Sequence, residues 1–383
     1  MAGSTYDVIV VGAGSMGMSA GYELAKRGVK ILLIDAFGPP HTEGSHHGET
    51  RLIRHAYSGD PVYSRLAALA HRLWTEIEDL TESTLLYPCG VLNIADRNIS
   101  SFEDRITQAQ ANGMNAQRLN ADEIRRRWPA WQIPDSFEGM YEPAAGILYS
   151  EKCLRSLREL ALARGADLLT HTRVERICPG AKGSAVLTSQ GTFYAARIVV
   201  TAGAWYGAIS DMLDLPIRAV RKTVGWFNSA SPDVKAGRFP GFTLHTKEGM
   251  YYGFPDTTGA GLKIGRHDTG VPWVPGEPLL SFGAWPEDER DLREILERYI
   301  PAAAGKLNIG SVCKYEMTPD EDFIIDRHPQ HDSIWIAGGF SGHGFKFASV
   351  IGTILADLAL TGQSDVDLSP FSLHRFADSS SIL

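Results

Sequence analysis

Residues 5–35 constrain the fold more than any other stretch. TYDVIVVG (5–12) is a short, apolar, β-branched run that ends in glycine, the pattern of a strand buried in a parallel sheet. SMGMSAGYELAKR (15–27) has helical composition and stops at Gly28. VKILLIDA (29–36) repeats the buried-strand pattern. Together they predict a βαβ unit, which needs a parallel sheet covered by helices. Gly12, Gly14 and Gly17 form GAGSMG between the first strand and the helix. Gly12 permits the tight turn, Gly14 lets a pyrophosphate approach the backbone, and Gly17 lets helix and strand pack closely. The helix start, with Ser15 and Met16, offers N–H groups and a positive dipole end to phosphate. Asp35, about 20 residues beyond the turn, is expected to accept hydrogen bonds from both ribose hydroxyls. An acid there argues against a 2′-phosphate, hence against NADP.

The rest of the chain is mixed. Residues 62–80, 121–128, 151–164 and 286–299 read as helices. Residues 167–177 and 185–205 read as strands, with a turn at Gln190-Gly191. Segments 217–254 and 261–267 alternate and are rich in Trp, Phe and Tyr, which suits an antiparallel sheet. Residues 333–360 read as strand, glycine-rich turn and helix. The expected fold is α/β (α+β): a Rossmann-like FAD-binding domain interleaved with an antiparallel β-sheet substrate domain. The first is expected from 1–80, 145–215 and 320–383, the second from 81–144 and 216–319. VVTAGAW (199–205) and IAGGFSGHGFKFASV (336–350) add small-residue turns far from GAGSMG. Several backbone approaches to one long dinucleotide favour FAD over NAD. A nicotinamide dehydrogenase and a non-catalytic flavoprotein are the competing readings.

Composition narrows the partners. The formal net charge is -8 over 383 residues and the pI is about 5.9, so no basic field is available for nucleic acid or an anionic membrane. No apolar run approaches the roughly 20 residues of a membrane helix. The start MAGSTYDVIVVGAG lacks a basic region and an apolar core of signal type, so a cytoplasmic location is expected. Cys89, Cys153, Cys178 and Cys313 lie far apart without CxxC, which speaks against a disulfide framework or zinc knuckle. GSHHGETRLIRHAY (44–57) crowds His46, His47, Glu49 and His55. Adjacent histidines do not easily face one ion, and HExxH is missing, so no metal is expected.

VIVVGAGSMG, GSHHGETRLIRHAY, YYGFP (251–255), LKIGRH (262–267), GSVCKYE (310–316), FSGHGFKF (340–347) and DLSPFSLHRF (367–376) together resemble the monomeric sarcosine oxidase family, which includes N-methyltryptophan oxidase. The resemblance implies a monomeric, FAD-dependent amine oxidase. It implies oxidation of secondary N-methyl amino acids by O2 with release of H2O2. Sarcosine would be the substrate, with N-methyl-L-tryptophan or a cyclic imino acid as the alternative. Cys313 matches the cysteine that carries FAD through an 8α-S-cysteinyl bond. Lys263 and Arg51 match cations beside the flavin ring, and Lys263 the one that serves O2. A fixed positive charge stabilises the superoxide anion that O2 reduction begins with. Read alone, a lysine in LKIG also suits an outward, solvated position. Arg54 and Lys346 match the pair that holds the substrate carboxylate, a task suited to a guanidinium fork. Arg51 and Arg54 are three apart, so helical or turn geometry would place them on adjacent faces. Tyr252, His267 and Tyr315 match pocket-lining residues. Ser45, His46, Thr50, Gly342, Gly344 and Phe345 match cofactor contacts, beside Arg51 and Lys346. Thr243 resembles the tryptophan-type enzymes, whereas VGAGSMGM and DAFGPP resemble the sarcosine type.

Overall fold

The computed structural model describes residues 3–57, 59–180, 183–211 and 213–377. The extreme ends of the ranges 1–80 and 320–383 therefore lie outside the described residues. The βαβ unit forms as expected: strand Thr5–Val11, helix Ser15–Lys26, strand Ile31–Ile34. Ile9, Val10, Leu32 and Leu33 are wholly buried: helices cover the Val10 and Leu33 face, while Val186, Phe193 and Tyr206 cover Ile9 and Leu32. Asp167–Leu169, Ile31–Ile34, Thr5–Val11 and Gly191–Val200 run parallel in that order, and His331–Gly338 runs parallel to the end of Gly191–Val200. Val174–Gly180, Gly183–Thr188 and Ile324–His328 complete eight strands.

One expectation fails here. Residues 167–177 are not a single strand. The chain breaks at His171, whose φ is +51°, and Asp167–Leu169 and Val174–Gly180 end on opposite edges of the sheet. Apolar alternation does not report such a break, because each half still shows the strand pattern.

The second sheet has nine strands drawn from 91–142 and 218–317. Its pairings are antiparallel except for Gly241–Thr246 beside Val91–Asp96, which is parallel. The helix Glu287–Tyr299 buries Leu292, Ile295, Leu296 and Tyr299 against it. A three-stranded sheet, Leu86–Tyr87, Gly146–Tyr149 and Thr50–Ile53, joins the two. The fold is thus a Rossmann-like unit interleaved with a predominantly antiparallel sheet. No helix among the described residues is long and apolar enough to cross a membrane.

Candidate active site

A cavity of about 700 Å³ lies between the two large sheets. Ser15 and Met16 reach it from the first helix, and Ser45, Arg51 and Arg54 from the segment after the βαβ unit. Tyr252, Lys263, His267, Cys313 and Tyr315 reach it from the nine-stranded sheet, and Gly342, Gly344, Phe345 and Lys346 from the glycine-rich turn. Fourteen expected site residues from five distant segments share its lining. Gly12, Gly14, Gly17, Asp35, His46 and Thr50 stand outside that lining.

The glycines divide by environment. A Cβ at Gly17 would overlap the Gly12 carbonyl, so that glycine is required by the turn itself. A Cβ at Gly14 would meet only His46 Nδ1, at 3.9 Å, so the ground above Gly14 is open. Gly14 caps the helix without any side-chain bond, which leaves first-turn N–H groups available. Gly342 has φ +78°, and a Cβ there would strike the Tyr315 ring. Its glycine admits Tyr315 to the cavity.

Asp35 is buried, and its two oxygens already have donors. Oδ2 accepts from Ala13 N at 2.7 Å, and Oδ1 from Phe37 N at 2.8 Å. Asp35 thus braces the glycine turn as well, and His41 Nε2 stands 3.3 Å from its Oδ1. Sequence spacing shows where an acid stands but not which backbone N–H groups fold onto it.

Arg51 and Arg54 do not sit on a helix or turn. Thr50–Ile53 is a strand paired with Gly146–Tyr149, so residues three apart point to opposite sides. The Arg51 guanidinium donates to the carbonyls of Thr50, Ser45 and His47 at 2.6–2.7 Å. Arg54 turns the other way, with its guanidinium 4.8 Å from the centre of the Tyr57 ring.

Lys263 is buried, as are both its neighbours, Leu262 and Ile264. The outward, solvated alternative is excluded because both faces of this strand are covered. Lys263 Nζ donates to the Gly48 carbonyl and to both oxygens of Thr50, at 3.2 and 3.3 Å. It also lies 5.0 Å from the Trp226 ring and 4.7 Å from Phe254. Burial, then Arg51, drives its pKa well below the ordinary lysine value. Thr50 thus works on Lys263 rather than at the cavity surface. Ser45 donates to the Lys314 carbonyl at 2.7 Å, and the buried His46 ring accepts from His41 N at 3.1 Å.

Cys313 is buried opposite Lys222 in the strand Leu307–Met317. Burial raises its pKa, while Arg51, Lys263 and Lys222 oppose that rise. Lys314 points away and pairs with Glu43 at 2.9 Å, as strand alternation requires. Tyr315 and Tyr252 hydroxyls are 3.4 Å apart, and the His267 ring lies 5.7 Å from Tyr315. Burial lowers the His267 pKa to about 4 and raises both tyrosines, so all three are neutral at pH 7. Lys346 is buried, with Nζ 2.7 Å from Tyr57 Oη. Burial and Arg54 depress its pKa strongly.

Sequence reading missed several cavity residues. Tyr57, Arg105 and His343 line it, and Glu142 sits behind Arg54 and Lys346. Tyr57 and His343 lie inside the motifs GSHHGETRLIRHAY and FSGHGFKF but are given no role there, whereas Arg105 and Glu142 lie in no motif and are recruited by packing. His55 meets Glu142 through its backbone N–H at 2.7 Å and His71 through its ring at 2.8 Å. Among the described residues no group of three or more His, Cys, Asp or Glu side chains is arranged to hold a metal.

The site fits FAD on its own features. The helix N-terminus is uncapped, the ground over Gly14 is open, and His47 Nε2 is buried at the cavity wall without a partner. A polar, phosphate-bearing ligand satisfies all three.

Comparison with known proteins agrees. The FAD dependent oxidoreductase family matches residues 7–358. A monomeric sarcosine oxidase from Bacillus sp. (strain B-0618) is 46% identical over 377 residues, covering 97% of this chain and 96% of that one. An N-methyl-L-tryptophan oxidase from Yersinia pestis (strain Pestoides F) is 37% identical over 373 residues, covering 97% and 99%. The solved L-proline dehydrogenase from P. horikoshii shares the fold, with TM-score 0.86, 21% identity and coverage of 98% and 99%. The chain belongs to the FAD-dependent oxidoreductase family and, within it, to the group of the monomeric sarcosine oxidases.

Proposed function

We propose that this protein oxidises secondary N-methyl amino acids of the sarcosine type: sarcosine, O2 and water yield glycine, formaldehyde and H2O2. One observation carries the reading. A single cavity brings Arg51, Lys263 and Cys313 together with Arg54 and Lys346. FAD, held by an 8α-S-cysteinyl bond to Cys313, would supply a two-electron acceptor for the amine and a two-electron donor for O2. The residues of the chain bind, orient and set charge.

Arg54 and Lys346 hold the substrate carboxylate. Its arrival opposes the burial that depresses Lys346 and so favours the ammonium form. The substrate nitrogen must be neutral before it can give up electrons. Like-charge repulsion from Arg54 and Lys346 favours loss of its proton. His267, Tyr252 and Tyr315 shape the pocket as neutral groups. Lys263 places an amine that can take up a proton and become a cation where O2 is reduced. Residues 1–80, 145–215 and 320–383 would form the FAD-binding domain, and 81–144 and 216–319 the substrate domain. The site then lies on their seam, with Arg51, Arg54 and Lys346 from the first domain and Lys263 from the second. A monomer in the cytoplasm completes the reading. The relatives' name supports the monomer, and four free cysteines suit a reducing compartment.

N-Methyl-L-tryptophan is the second substrate reading, favoured by Thr243. Its hydroxyl lies 2.8 Å from Asn93 Oδ1 on the cavity wall. Comparison of kcat/KM for sarcosine, N-methyl-L-tryptophan and proline, with H2O2 measured, decides between them. Absence of H2O2 with all three would overturn the oxidase reading.

A further inference from the structure

Arg105 is the cavity residue that the reaction above leaves without work. It stands in the helix Glu103–Ala111, which buries Ala109 and packs Ile106 on a small core, and its guanidinium turns toward the cavity. Nη2 donates to the Ala56 carbonyl at 3.0 Å and to Asn93 Oδ1 at 3.3 Å. Its Nε–H is buried without an acceptor, and no bond from Nη1 occurs among the described residues. Three of its five N–H groups are therefore unspent.

The position is built. Asn93 Oδ1 also accepts from Thr243 Oγ1 at 2.8 Å, while Asn93 Nδ2 reaches Glu142 Oε1 at 3.3 Å. A residue from each of four segments thus fixes the Arg105 head. Arg54 converges on the same point: its Nη1 lies 3.4 Å from the Ala56 carbonyl that Arg105 also bonds. Two guanidinium groups meeting on one neutral oxygen repel each other. Burial and Arg54 lower the Arg105 pKa to about 10, which still leaves it charged at neutral pH.

Charge counting gives the ligand. Arg54, Arg105 and Lys346 gather near Glu142, the carboxylate that acts on both Arg105 and Lys346, while Asp320 and Asp322 on the cavity wall are engaged by Arg375 and Tyr63. Backbone N–H bonds and the His55 ring outweigh its burial and hold Glu142 ionised. One substrate carboxylate leaves a positive charge over, in a place where an unpaired charge is costly. A second anionic group on the substrate balances it.

Resting on the N-methyl amino acid reading above, we propose that Arg105, with Arg54, forms a second anion subsite, so that the preferred substrate class is N-methyl dicarboxylic amino acids of aspartate or glutamate length. The first carboxylate lies between Arg54 and Lys346, and the second faces the unspent donors of Arg105. The reaction is the same oxidation: the N-methyl dicarboxylic amino acid, O2 and water give the primary amino acid, formaldehyde and H2O2.

The test uses the holoenzyme and has two arms. In the first, succinate and butyrate are titrated as non-reacting ligands and their Kd values measured by calorimetry. Succinate should bind at least tenfold more tightly than butyrate. Arg105→Met should cut that ratio at least tenfold, and Arg105→Lys should fall between. In the second, kcat/KM is compared for N-methyl-L-aspartate and N-methyl-L-valine. The ratio should favour the dicarboxylate and collapse in Arg105→Met. Equal binding of succinate and butyrate, or an Arg105→Met change that moves both ligands by the same factor, overturns the subsite. The two readings fail separately. A preference for succinate without any oxidation would keep the anion subsite and discard the N-methyl amino acid activity. Sarcosine oxidation without a dicarboxylate preference would do the reverse.

Discussion

Arg51 and Lys263 donate to the same oxygen, the Thr50 carbonyl, at 2.7 and 3.2 Å. They arrive from different sheets, and the group between them is neutral. A carbonyl positions two basic side chains without forming an ion pair with either, whereas a carboxylate would neutralise one. This arrangement leaves positive potential at the cavity wall, which is what developing negative charge there requires.

Lys263→Met removes one of the two basic groups and keeps the bulk. Re-oxidation of the reduced enzyme by O2 should slow by about 10²–10³-fold, the size of one lost electrostatic contact at a transition state. Anaerobic reduction by substrate should change far less. Stopped-flow measurement of both half-reactions checks this, and equal losses would take the oxygen role from Lys263.

Cys313 should hold FAD covalently. Acid-precipitated wild-type protein should stay yellow, and Cys313→Ser should release its flavin to the supernatant. Free FAD from the wild type would falsify the attachment. The same variant should still fold, because a buried Cys is replaced by a side chain of similar size.

Gly14 and Gly17 should fail differently. Gly17→Ala drives a methyl into the Gly12 carbonyl, so soluble folded protein should be lost. Gly14→Ala meets no protein atom closer than 3.9 Å and puts a poorer N-cap residue in place of glycine, at a cost of up to about 1 kcal/mol. It should fold, as judged by circular dichroism, with a much reduced FAD content. Full FAD occupancy in Gly14→Ala would mean that the open ground there is not cofactor space.

Glu316 predicts a pH dependence. It is buried in the cavity wall, accepting from Gly339 N at 3.3 Å, and burial raises its pKa to about 8. The folded chain therefore keeps a proton that the unfolded chain releases near 4.5. Its contribution to stability is whole below that value and drains away as pH rises through 8. At about 1.4 kcal/mol per unit, the loss between pH 4.5 and 8 is on the order of a few kcal/mol. Denaturant titration at pH 5 and 9 should show a clear fall for the wild type and a shallower one for Glu316→Gln. Parallel slopes would place the titration elsewhere.

The βαβ unit, its glycine turn and Asp35 were legible because each depends on neighbours within one strand or helix. Apolar runs set strand and helix, and glycine spacing sets the turn. Motif likeness also located Lys263, Cys313, Arg54 and Lys346, though not their surroundings. What only the tertiary structure decided is where side chains from remote segments meet. Lys263 is buried because a second layer covers the face that alternation alone leaves open. Arg51 and Arg54 part because Thr50–Ile53 finds a partner strand almost a hundred residues away, at Gly146–Tyr149. Arg105 reaches the cavity because Ala56 and Asn93 fold beneath it. Local patterns reflect short-range sterics and periodic burial, and these are written in consecutive residues. Charge placement depends on which desolvated surfaces face each other, which no single stretch of the chain contains.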